Sequence, residues 1–94
     1  MKLLIRPKAL KSLEKIAFYV ESINTKGSGD QFLVKFLNSM QQYALEGVTF
    51  QSCKHFSLSS KGYSCVFHEQ WVIAFKIQGN QFIIYRIVWG PSLF

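Results

Sequence analysis

Two runs decide the fold: Trp71-Val-Ile-Ala-Phe-Lys-Ile77 and Phe82-Ile-Ile-Tyr-Arg-Ile-Val88, joined by Gln78-Gly-Asn-Gln81. β-Branched and aromatic residues dominate both runs, and Gly79-Asn80 accept the positive φ of a two-residue hairpin turn. The register this turn sets puts Lys76 opposite Ile83 and Ala74 opposite Tyr85. One sheet face then presents Val72, Ala74, Lys76, Ile83, Tyr85 and Ile87. The other presents Trp71, Ile73, Phe75, Ile77, Phe82, Ile84 and Arg86. Both faces are largely apolar. In this register Lys76 and Arg86 lie on opposite sides of the sheet.

Upstream of the hairpin, Tyr63-Ser-Cys-Val-Phe-His68 reads as a third short strand. Residues 2–6 alternate weakly and read as a first strand, ended by Pro7, which also suits the first turn of a helix. From 8 to 22 the apolar residues Leu10, Leu13, Ile16, Ala17 and Val20 recur at helical spacing, with Lys8, Lys11, Glu14 and Lys15 on other faces. Residues 23–29 form a turn, and Ser28 with Gln31 has capping-box spacing, which starts a second helix near Gly29. Phe32, Leu33, Phe36, Leu37, Met40 and Ala44 make its apolar stripe, and Gly47 is its natural stop. So short a connection between two amphipathic helices implies an antiparallel helical hairpin. Residues 48–61 are an irregular, Ser-rich connection. The expected architecture is α+β, with the N-terminal strand and helical hairpin packed on a mostly antiparallel four-stranded sheet. Two helices cover only one sheet face. The other is left for a partner, for self-association, or for shielding by Lys76, Tyr85 and the 48–61 connection.

A chain of 94 residues reads as a single domain spanning 1–94, too short for two cores. Nine Phe, four Tyr and two Trp supply a core without disulfides. Met1-Lys-Leu-Leu-Ile-Arg6 is interrupted by Arg6-Pro7-Lys8 too early for a secretory leader, and no apolar run reaches the length of a membrane span. The expectation is a cytoplasmic protein with Cys53 and Cys65 as reduced thiols, and no membrane partner. The formal net charge of +6 favours an acidic partner, nucleic acid or an acidic protein segment, without choosing between them.

Several constellations invite chemistry. Cys53-Lys-His55 and Cys65-Val-Phe-His68 bring zinc to mind, but in a strand Cys65 and His68 point to opposite faces. Buried thiols and surface imidazoles are the expected reading, and no metal or other cofactor is expected. Lys54, Lys61, Lys76 and Arg86 interleave with Phe56, Tyr63, Phe75 and Tyr85 in the manner of a stacking surface for single-stranded nucleic acid. Aromatics at alternating strand positions serve more often as core.

The order of these pieces resembles the RelE/ParE superfamily of bacterial toxins, the plasmid-stabilisation proteins. The likeness runs through Pro7-Lys-Ala-Leu-Lys-Ser-Leu-Glu-Lys-Ile16, Gly62-Tyr63, the central strand from Trp71 to Ile77, and Tyr85-Arg-Ile-Val-Trp-Gly90. It implies the toxin of a type II toxin–antitoxin system, growth-inhibiting and silenced by a cognate antitoxin laid over it. The RelE-like branch cuts messenger RNA in the ribosome with sheet Lys and Arg and a basic or Tyr-bearing C-terminal segment. Here that segment is Pro91-Ser-Leu-Phe94, and His68, Lys76 and Arg86 are the only catalytic candidates. The ParE-like branch, associated with inhibition of DNA gyrase by binding, is the closer resemblance. The partner- or target-binding surface is then expected on Lys61, Tyr63, Ser64, Val72, Lys76, Tyr85, Arg86 and Trp89. An RNA-cutting chain with ribosome and message as partners is one alternative. A non-toxic member of the family is another, since Ser64 stands where an Arg is often found and Pro91-Ser92 replaces the usual ending.

Overall fold

Pro7 locks φ and lacks an N–H, so a chain that arrives extended turns into a helix at that point. In the computed structural model, which describes residues 1–46 and 52–93, β1 (Lys2–Ile5) passes through Arg6 into α1 (Pro7–Ile23). After a short turn α2 (Ser28–Glu46) runs back along it. Then come a single-turn helix α3 (Phe56–Ser59) and the strands β2 (Ser64–His68), β3 (Trp71–Gln78) and β4 (Gln81–Trp89). A 3₁₀ turn (Gly90–Leu93) follows the last strand. The stop expected at Gly47 and the first part of the 48–61 connection lie outside the described residues.

The sheet order is β1-β4-β3-β2, with β1 parallel to β4 and the other neighbours antiparallel. The fold is α+β, a mixed four-stranded sheet carrying a helical hairpin on one face. Gly79, at φ +58°, turns the β3–β4 hairpin as expected, and Lys76 pairs with Ile83. The main core lies between hairpin and sheet. Ala9, Leu13, Ile16, Phe32, Phe36, Met40 and Ala44 from the helices meet Val66, Ile73, Phe75, Phe82, Ile84 and Ile87 from the strands. Both helical stripes are thus largely confirmed, except that Leu10 and Leu37 face solvent.

Three expectations change. The start of α2 is not a capping box, because the Ser28 hydroxyl donates to the Val20 carbonyl instead. The Glu21 carboxylate, reaching over from α1, accepts from the N–H of Gly27 and of Gly29, each at 2.8 Å. Second, Cys53 and Cys65 are not separate thiols but a disulfide, with Cα atoms 4.8 Å apart. Third, the β3–β4 register slips beyond the turn. Phe75 pairs with Ile84 but Ala74 pairs with Arg86, so Tyr85 is an extra residue in β4. Such a β-bulge inverts the facing of everything after it. Ile87 pairs with Ile73 in the core under the helices, and Arg86 joins Ala74 on the outer face.

The bulge has a clear energetic cause. A regular strand would bury the Arg86 guanidinium beneath the helices and push Ile87 out. Desolvating an unpaired charge costs several kcal/mol, whereas burying one Ile side chain yields about 2 kcal/mol. The bulge avoids the first and gains the second.

Candidate functional site

The face of the sheet turned away from the helices collects residues from four stretches. Leu3 and Ile5 pack into the main core, so Lys2, Leu4 and Arg6 alternate outward. β4 contributes Ile83, Tyr85, Arg86 and Val88, and β3 contributes Val72, Ala74, Lys76 and Gln78. Beside β3 lie Tyr63 and Cys65. This face divides into two halves.

One half is covered. Cys53, with Leu58 of α3, packs on Val72 and Ala74, while Tyr63 and Cys65 flank them. The connection expected to be irregular therefore contributes a second, smaller core. Its fold is local: the Ser52–Ser64 bridge opens it, Cys53 N–H donates to the Tyr63 carbonyl at 3.2 Å, and His55 caps α3 by accepting from the Ser57 N–H. Shielding of the outer face by this connection is in part what happens.

The other half carries cations on aromatic rings. Lys76 Nζ sits 5.2 Å from the Tyr63 ring centroid and 5.4 Å from that of Tyr85. The two rings are themselves 5.4 Å apart. Arg6 approaches Tyr85 from the β1 side, with Cζ 5.4 Å from the ring centroid. Rings under a cation hold its position without neutralising its charge. The five acidic residues are Glu14, Glu21, Asp30, Glu46 and Glu69. Four belong to the two long helices and the last to the β2–β3 turn. The result is a basic surface of Lys2, Arg6, Lys76 and Arg86 with two tyrosines.

Of the residues expected to form the site, Tyr63, Lys76 and Tyr85 come together here, and Arg86 shares their face of the sheet. Arg86 does so only because of the bulge, which corrects the separation of Lys76 from Arg86 that a regular register demands. Lys61 is exposed in the turn leading to β2. Val72 is on the right face but buried beneath Leu58 and Cys53. Ser64 pairs with Phe75 and therefore faces the helix side. Trp89 stacks edge-on against Trp71, ring centroids 4.9 Å apart, at the end of the sheet away from the hairpin turn. His68 is not a surface imidazole. It is 9% exposed and wedged edge-on between Phe32 and Phe36, with Nε2 lacking a hydrogen-bond partner among the described residues. It points into the opposite layer from Lys76 and cannot share a substrate with it.

Arg6 was not among the expected site residues. Its sequence signal is position: it continues the outward series Lys2, Leu4, but it reaches Tyr85 only through parallel pairing of β1 with β4, which strand order alone does not reveal. The contacts on this face are those of cations with the rings of Tyr63 and Tyr85, and His68 lies in the other layer. No protein-family model matches the chain, and no curated protein matches its sequence. Among the described residues no helix is long and apolar enough to cross a membrane.

Proposed function

We propose that this chain is the toxin component of a type II toxin–antitoxin system, ParE-like in its action. It binds and inhibits a target such as DNA gyrase through the basic outer face of the sheet, and a cognate antitoxin with an acidic binding segment silences it on that face. The observation that carries this reading is the placing of Arg6 and Lys76 on the rings of Tyr63 and Tyr85, with Arg86 on the same face of the sheet. The element order, a strand, a helical hairpin and three antiparallel strands, agrees with the fold that the resemblance to RelE/ParE toxins implies. Binding is favoured over cleavage because the imidazole of His68 lies in the other layer, away from the cations. The working compartment is the cytoplasm. In the absence of antitoxin the same face is available for self-association.

One observation favours a second reading, a RelE-like ribosome-dependent endoribonuclease. The bulge sets Arg86 on the face of Lys76, and two cations on one face meet the electrostatic need of a phosphoryl transition state. A tyrosine hydroxyl would then have to manage the 2′-hydroxyl proton. Induction of the chain alone in a bacterial host separates the readings when growth, plasmid topology and message integrity are scored together. Growth arrest with altered supercoiling and intact message is expected. Position-specific message cleavage that disappears in Lys76→Ala or Arg86→Ala replaces the binding reading with the nuclease. Normal growth marks a non-toxic member.

A further inference from the structure

The Cys53–Cys65 disulfide closes a loop of sequence separation 12. That loop carries α3 and Lys61, delivers Tyr63 to Lys76, and roofs Val72 and Ala74. Cys53 belongs to this small outer core, and none of the outer-core residues is part of the core beneath the helices. The two cores lie on opposite sides of the sheet. Undoing the outer one leaves the packing of α1 and α2 on the strands in place.

We propose that this disulfide is a redox latch on the outer face. Oxidised, it holds residues 53–63 over Val72 and Ala74 and fixes Tyr63 against Lys76. Reduced, it lets the segment lift, opening the apolar half of the face beside the cations. The significance of the latch for target binding rests on the function proposed above; the latch itself does not. Thiol buffers reduce accessible disulfides, so a bond placed across this face responds to the redox state around it.

The chemistry balances with a dithiol reductant. Cys53 is buried, while Cys65 on the edge strand β2 is only partly so, which directs attack to the Cys65 sulfur. The incoming thiolate forms a mixed disulfide with Cys65, the Cys53–Cys65 bond breaks, and Cys53 leaves as a thiolate that takes up a proton. The second thiol of the reductant then attacks its own mixed disulfide and frees Cys65 as a thiol. One disulfide is lost from the protein and one forms in the reductant, with two electrons and two protons passing to the cysteines.

Closing a loop of this length disfavours its opening by roughly 100-fold in the chain-entropy picture. Amide exchange read by mass spectrometry on the full chain tests this in three samples: oxidised, reduced with a phosphine, and the Cys53→Ser/Cys65→Ser variant. Exchange in 53–63 should accelerate by roughly 100-fold on reduction, with α1, α2 and β4 unchanged. The variant should match the reduced protein and ignore reductant. An anionic apolar dye should gain fluorescence on reduction as Val72 and Ala74 are uncovered. Unchanged exchange in 53–63, or equal acceleration along the whole chain, overturns the latch. Faster exchange confined to this segment, in a chain that never arrests growth, keeps the latch and removes the toxin reading.

Discussion

Glu21 does for α2 what a local cap does for other helices, but from the end of the preceding helix. Its two oxygens accept from the amides of Gly27 and Gly29, and these bonds hold its carboxyl below its ordinary value of 4.5. A depressed folded-state pKa contributes stability that is complete above the unfolded value and is lost as pH falls through the folded one. Melting temperatures of wild type and Glu21→Gln should therefore differ at neutral pH and converge in acid. A constant difference across the range would dissociate the bonds from stability. His68 poses the reverse problem, a polar ring in an apolar layer. An unsatisfied buried polar atom costs about 1–3 kcal/mol. His68→Leu should be at least as stable as wild type by urea denaturation, and it should leave any toxicity intact because the ring lies far from the cation face. Neither role was legible in the sequence. Glu21 reaches its partners across a turn, and His68 carries no local mark separating a core imidazole from an exposed one.

The helical hairpin owes its tightness to Gly29. A Cβ there would stand 2.6 Å from the Ala17 carbonyl oxygen, a contact only backbone movement can relieve. Gly29→Ala should cost about 1–3 kcal/mol in denaturant unfolding, where the same change at an exposed helical glycine stabilises by about 1 kcal/mol. A neutral or stabilising effect would show that the helices are not in close contact at that point. The elements themselves were largely readable from periodicity: both helices, all four strands and the turn at Gly79-Asn80 stand where apolar spacing and turn chemistry put them. The bulge in β4 has no such local mark. No glycine marks it, and a strict two-residue alternation runs past Tyr85 without a break. The run Phe82, Ile84, Arg86, Ile87 does hold the clue, since only a phase change buries Ile87 and frees Arg86 together. That one residue decides whether the sheet has two dispersed cations or a cluster.

At the scale of the molecule, charge and apolar surface are partitioned by the sheet. The acids sit on the helical layer and the β2–β3 turn, while the outer face joins Lys2, Arg6, Lys76 and Arg86 to a small disulfide-tied core. The net positive charge was visible in composition, but its concentration on one face depends on strand order and on the bulge, which composition does not encode. The disulfide was equally hidden, because two cysteines twelve residues apart pair only if the intervening loop folds back over the strand. Any binding of an acidic partner by a face of this kind should be salt-sensitive, since exposed charges are screened over about 8 Å at physiological ionic strength. The most direct measurement is a growth assay comparing wild type with the charge-reversed Lys76→Glu/Arg86→Glu variant at matched expression, with helix content checked by circular dichroism. Wild type should arrest the host, and the folded variant should permit colony formation. A folded variant as toxic as wild type, or a wild-type chain without effect on growth, would contradict the assignment of function to this face.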